Sequence, residues 1–202
     1  MPRIWIFKGM KFILASKSPR RKEILENLGL KFDVIVADAD ESCDIADPCE
    51  RVSALAAIKG RAVKEQVGDG CLIIASDTLV FAEGEFLGKP KDRSDAKRMI
   101  EMLSGKAHSV VSGLYLSYGG KEYSGAGETK VIFDQMTESE IEDYISSPEP
   151  YDKAGGYAVQ GLASLYVSGI EGDYFNVVGL PVNLLYKALK QEFGIDINSL
   201  KA

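Results

Sequence analysis

The chain has 202 residues, with 46% hydrophobic and 27% charged residues, enough to bury a core and unlike a disordered composition. Its formal net charge of −6 argues against a nucleic-acid binder, which needs a basic face, and favours a small anionic ligand if phosphate is bound at all. Three cysteines without CxxC spacing exclude a disulfide framework and a zinc ribbon, and point to a reducing cytosol.

The N-terminal apolar residues Ile4–Phe7 and Phe12–Ala15 are interrupted by Lys8 and Lys11, so no signal-peptide core forms. No apolar run reaches the ~20 residues of a membrane span, so the chain is expected to be soluble and cytoplasmic, with no membrane partner. Residues 1–10 read as an extension or strand start, and 11–202 as one domain.

Lys11–Ala15 is expected to form a short strand. Ser16-Lys17-Ser18-Pro19 then leads into a helix over Arg20–Leu28, with Ser18 as N-cap, Pro19 at the first turn and Gly29 at the stop. Phe32–Val36 reads as a strand, Ala37–Cys49 as an acidic loop, and Arg51–Gln66 as a helix. Cys71–Ala75 is a buried strand that ends at Ser76-Asp77-Thr78. A turn or short hairpin at Gly84–Gly88, a helix capped by Ser94 and running through Leu103, and a hairpin of Ser109–Tyr118 with Glu122–Phe133 follow. Thr137–Ser146 opens with a capping box; Leu162–Ile170 reads as a strand and Pro181–Phe193 as a final helix. The order predicts an α/β fold with a mixed twisted sheet.

His108 is the only histidine, so multi-histidine metal sites are impossible and acid/base work falls to carboxylates. Ser16–Arg21 joins a strand to a helix N-terminus, where free N–H groups and the helix dipole favour an anion. Its serines, Lys17, Arg20 and Arg21 suit phosphate, although a capped surface helix would look the same. Asp77, at the end of a buried run, suits metal binding or activation of water, or the capping of a turn. Glu41 is a candidate second metal ligand in a loop that could equally be solvated surface. Lys59 and Arg61 read as solvent-facing, and Lys89 lies in a Gly-Lys-Pro turn. The run Asp152–Gly161 combines three glycines with Lys153 and Gln160, whose amide offers one donor and one acceptor edge.

Six collinear segments resemble the Maf family of nucleotide pyrophosphatases, the septum-formation-inhibitor proteins. They are Leu14–Arg21, Ser76–Thr78, Gly88–Pro90, Leu103–His108, Asp152–Gly161 and Asn176–Pro181. The resemblance implies two lobes around a nucleotide-binding cleft, similar to inosine-triphosphate pyrophosphatases. It also implies hydrolysis of a nucleoside triphosphate to monophosphate and pyrophosphate, dependent on Mg²⁺ or Mn²⁺. Carried over, Asp77 is the general base and a metal ligand, and Ser16, Arg20, Arg21, Lys59, Lys89 and Lys153 hold phosphates. Arg20, Thr78 and Gln160 match the dTTP/UTP branch; the 7-methyl-GTP branch, with an acid in place of Gln160, is the nearest alternative. A non-catalytic regulator of cell division is a second alternative. A homodimer is a further implication of the family. Ser112 departs from a usual threonine, and Gly60 from a usual alanine, a change expected to loosen the helix locally.

Overall fold

The structure, a computed structural model, describes residues 10–200, so the expectation for residues 1–10 lies, apart from Met10, outside the described residues. The strands are β1 (Lys11–Leu14), β2 (Asp33–Val34), β3 (Cys71–Ala82), β4 (Glu85–Leu87), β5 (Ala107–Tyr118), β6 (Lys121–Phe133) and β7 (Val167–Glu171). The helices are α1 (Pro19–Asn27), α2 (Pro48–Val67), α3 (Arg93–Leu103), α4 (Glu138–Ile145), α5 (Tyr174–Val178) and α6 (Val182–Glu192). The mixed α/β sheet runs β2-β1-β3-β5-β6-β7, with β4 paired to β3. Helical crossovers make β1 parallel to both β2 and β3, whereas the tight turn after β3 makes β4 antiparallel.

The chain forms two compact units. The first holds the residues up to Asp77, Ser112–Gly127 and those from Gly179 onward; the second holds Thr78–Val111 and Glu128–Val178. In the first, Ile13, Ala15, Ala56, Ala57, Val63, Ile73, Ala75 and Tyr115 make the core beneath α2. Two glycines let α2 lie directly on β5. A Cβ on Gly60 would sit 2.0 Å from the Tyr115 ring, and one on Gly113 would sit 2.0 Å from the Val52 carbonyl oxygen. The expected loosening at Gly60 is therefore corrected: Gly60 is buried and seats a fully buried tyrosine.

In the second unit, α3, α4 and the ends of β3, β5 and β6 bury Val80, Leu87, Ile100, Leu103, Val131 and Ile145 among others. His108, Phe133 and Tyr157 form a triangle of edge-to-face rings with centroids 4.9–5.4 Å apart. His108 Nε2 and the Tyr157 hydroxyl are hydrogen-bonded at 2.6 Å.

Several details differ from the sequence reading. β3 continues through Asp77 to Ala82, because Val80 and Ala82 return to a buried face. The N-cap of α3 is Asp92, not Ser94, since its carboxylate accepts the Asp95 N–H at 2.9 Å. Ser18 occupies the N-cap position of α1 without a side-chain cap bond, and Phe32–Val36 narrows to the two residues of β2. Leu162–Leu165 is a 3₁₀ turn ahead of β7, because the Glu149 carboxylate draws in the Leu162 and Ala163 N–H groups.

Burial pushes the His108 pKa down from 6.5 to about 4. Between those values the unfolded chain takes up a proton that the folded chain refuses, so stability falls as pH falls through this window. The loss attributable to His108 should reach roughly 3 kcal/mol by pH 4. Urea unfolding from pH 7 to 4.5 should therefore show a steeper decline for the wild type than for His108→Phe. Equal slopes would contradict the neutral, buried assignment.

Candidate functional site

In the first unit, the parallel register of β1 and β3 pairs Leu14 with Ile74, and the Ala15 N–H donates to the Ile74 carbonyl at 2.8 Å. Beyond this point β1 turns out of the sheet into the Ser16–Ser18 loop and α1, while β3 proceeds to Ser76 and Asp77. The expected strand-to-helix loop is therefore present, with Pro19 in the first turn of α1.

Arg21 holds this loop. Its Nη1 donates to Ser16 Oγ at 3.0 Å and its Nε to the Gly179 carbonyl at 2.7 Å. Ser76 Oγ donates to the same carbonyl at 3.1 Å, and the Ser18 N–H donates to Ser16 Oγ at 3.2 Å. Gly179 has φ 127°, a conformation for which glycine is strongly preferred. Burial lowers the Arg21 pKa from its ordinary value, with Asp77 and Glu41 acting in the opposite direction. Arg20 is half-buried and makes no hydrogen bond or ion pair among the described residues.

Lys59 departs from the solvent-facing expectation. Its ammonium is hydrogen-bonded to Asp77 Oδ1 and lies 2.9 Å from Glu41 Oε2. The Lys59 and Asp77 side chains are only 21% and 13% exposed, whereas that of Glu41 is 51% exposed. Asp77 thus sits inside a strand, at the step where burial of β3 relaxes, and not at its end. The acidic loop ends where Asp47 accepts the Glu50 N–H at 2.8 Å and caps α2. Arg61, by contrast, is exposed and pairs with Glu122, as its surface reading expects.

A pocket of about 270 Å³ opens beside these groups, lined by Ser16, Lys17, Arg21, Asp38, Glu41 and Lys59 among others. No group of three or more His, Cys, Asp or Glu side chains is placed to hold a metal among the described residues. The pair Asp77 and Glu41 nonetheless converges on one cationic centre. That donor set fits Mg²⁺, which typically takes one or two carboxylates and completes its shell with water and substrate phosphate.

The remaining predicted residues belong to the second unit. Thr78, half-buried, follows Asp77 directly along β3. Lys89 is exposed in the turn after β4. That turn is tied to the glycine-rich segment by the Gly155 N–H, which donates to the Gly88 carbonyl at 3.0 Å. Lys153 Nζ donates to the Glu149 carbonyl at 2.9 Å and to the Asp152 carboxylate. Gln160 is exposed, and its amide has no hydrogen bond among the described residues.

Sequence reasoning missed the part played by the Gly179 carbonyl, which fastens the chain before α6 to Arg21 and Ser76. The only available signal was the Gly-Leu-Pro sequence at the start of the last helix.

The fold and site define an α/β protein with a helix N-terminus suited to anions beside a lysine-bridged carboxylate pair. The family model for Maf-like protein matches residues 11–192, and the chain belongs to that family. It is 44% identical over 188 residues to the dTTP/UTP pyrophosphatase of Thermoanaerobacter sp. (strain X514), covering 92% of this chain and 98% of that one. It is also 44% identical over 188 residues to the dTTP/UTP pyrophosphatase of Bacillus anthracis (strain CDC 684 / NRRL 3495), covering 93% and 97%. Among solved structures, the Staphylococcus aureus Ham1 protein is similar in fold, with a TM-score of 0.53 at 13% identity over 90% of this chain and 99% of that one. The mixed α/β architecture expected from the sequence is borne out.

The two arginines should separate experimentally. Arg21→Ala removes bonds to Ser16 and Gly179 and should lower stability by about 1–3 kcal/mol in urea unfolding. Arg20→Ala should stay within ~0.5 kcal/mol of wild type. Equal losses would contradict the anchoring role assigned to Arg21.

Proposed function

We propose that this chain hydrolyses nucleoside triphosphates to the monophosphate and pyrophosphate, with dTTP and UTP preferred. The observation that carries the reading is the Lys59 ammonium held between Asp77 and Glu41, beside the Ser16–Arg21 helix N-terminus. Family membership and relatives named dTTP/UTP pyrophosphatase, matched over more than nine-tenths of both chains, support it.

Polyphosphate brings several negative charges, and the helix N-terminus, Ser16, Arg20 and Lys59 are placed to receive part of them. Arg21 contributes its charge while its fixed bonds shape the loop. As phosphate engages Lys59, the ammonium has a new anionic partner and its hold on Asp77 weakens. The Asp77 carboxylate is then available to orient and deprotonate water. Asp77 and Glu41 would hold Mg²⁺ or Mn²⁺, which supplies Lewis-acid stabilisation of charge on the reacting phosphates. Lys89 and Lys153 are assigned to phosphate as well.

For the base, the proposal rests on Arg20, Thr78 and Gln160, the combination of the dTTP/UTP branch. A glutamine amide offers a donor and an acceptor to the O4 and N3–H edge of uracil or thymine. An ionised glutamate would offer acceptors only. The reaction is placed in the cytoplasm, on the strength of three cysteines that form no disulfide framework. No helix among the described residues is long and apolar enough to cross a membrane. A homodimer is retained as part of the proposal.

Turnover should require a divalent cation, stop with chelator and return with Mg²⁺ or Mn²⁺. Asp77→Asn should reduce kcat by roughly 10²–10⁴ while the protein stays folded by circular dichroism. Near-normal turnover of that variant would remove Asp77 from the chemistry. In one buffer at fixed Mg²⁺, kcat/KM for UTP and dTTP should exceed that for GTP and ATP. Gln160→Glu should erode the preference by ~1–3 kcal/mol, because a carboxylate facing O4 leaves an acceptor unpaired. Unchanged ratios would detach Gln160 from base selection.

A further inference from the structure

Glu149 has no part in the chemistry above, yet its carboxylate draws together donors from two separate stretches of chain. Oε2 accepts the Leu162 N–H at 2.7 Å, and Oε1 accepts the Ala163 N–H at 3.2 Å. The buried Tyr144 hydroxyl of α4 donates toward Oε1 at 3.0 Å and lies equally close to the Gly156 carbonyl. The main-chain carbonyl of Glu149 accepts Lys153 Nζ at 2.9 Å. One residue thus closes the segment 150–161 at both ends, and that segment carries Lys153 and Gln160.

The approach is close enough to dictate the neighbouring residue. A Cβ on Gly161 would stand 2.1 Å from Glu149 Oε2 and 2.5 Å from its Cδ. Any larger residue at 161, adjacent to Gln160, would evict the carboxylate. Gly161 has φ −116°, which other residues adopt freely, so the requirement for glycine comes from this close approach and not from the backbone angle. Hydrogen bonds from N–H groups to an ionised acceptor are stronger than neutral ones, so the clasp restrains the two residues after Gly161 more firmly than an ordinary turn would. Gln160 itself is exposed and has no bond of its own among the described residues. The Gly161 N–H donates to the Ala158 carbonyl at 3.0 Å, so Gln160 lies in a turn whose exit the clasp anchors at Leu162 and Ala163.

We propose that Glu149, with Tyr144 and Gly161, is a positioning residue for base selection: its carboxylate clasps the Leu162 and Ala163 amides and thereby fixes the segment that presents Gln160. The inference rests on the assignment of Gln160 to the base. Truncating the clasp should leave the Asp77 and Lys59 chemistry in the first unit intact and degrade discrimination between bases. The effect should fall on KM for UTP more than on kcat, because the clasp governs how the base is held and not how the phosphates react.

The test combines kinetics with amide hydrogen exchange on the full-length chain. Glu149→Gln keeps the size of the side chain but turns an amide nitrogen toward N–H donors. Gly161→Ala displaces the carboxylate without changing it, and Tyr144→Phe removes only the hydroxyl. Protection of the Leu162 and Ala163 amides should fall at least tenfold in Glu149→Gln and Gly161→Ala. The ratio of kcat/KM for UTP over GTP should fall about tenfold, with kcat for UTP within about threefold of wild type. Tyr144→Phe should show a smaller decrease in the same direction, and it carries the test alone if the other two variants fail to fold. Unchanged protection in the variants would overturn the clasp. Reduced protection with an unchanged UTP/GTP ratio would overturn its role in selection while leaving the Gln160 reading standing. A wild type without preference for UTP would overturn the Gln160 reading first, and this assignment with it.

Discussion

Two carboxylates, Asp77 on β3 and Glu41 in the acidic loop, meet at one ammonium, Lys59, and the first unit is organised to keep that ammonium in place. Lys59 reaches both from α2, which lies close against the sheet. Gly60 and Gly113 make that approach possible by leaving room for the Tyr115 ring and the Val52 carbonyl. Packing against the neighbouring strand, β5, therefore accompanies the placement of the helix that carries Lys59 to the acid on β3.

The strand-to-helix loop depends on a second fixed group. Arg21 joins Ser16 to the Gly179 carbonyl, and Ser76 reaches the same oxygen, so the loop after β1, the middle of β3 and the chain entering α6 share one hydrogen-bonded node. Arg20, its neighbour in sequence, keeps its donors unengaged among the described residues. Adjacent arginines that look interchangeable in sequence thus differ in the structure: one holds the loop together, and the other makes no bond among the described residues.

Much of this was legible before the structure. The strand, Ser-Lys-Ser-Pro loop and helix at residues 11–27, the Gly119-Gly120 hairpin and the Thr137 capping box follow from local chemistry, and each lies close to where the residues predict. Asp77 was found, but as the end of a strand, because Ser76-Asp77-Thr78 breaks the apolar run. The strand persists because burial resumes at Val80, in the core of the second unit. The inward turn of Lys59 was hidden, since helical spacing alone does not reveal a carboxylate brought from another element. Gly60 looked like a weak point because its partner, Tyr115, lies 55 residues on. Likewise, nothing near Leu162 announces that a glutamate 13 residues earlier bends it out of the strand.

The most direct test of the proposed chemistry is the identity of the products when the wild-type chain turns over UTP with Mg²⁺, followed by phosphorus NMR. A carboxylate pair beside the proposed polyphosphate site in a Maf family member is expected to release UMP and pyrophosphate in equal amounts, with no accumulation of UDP. Release of UDP and orthophosphate, or UTP left intact with Mg²⁺ and Mn²⁺ each supplied, would contradict it.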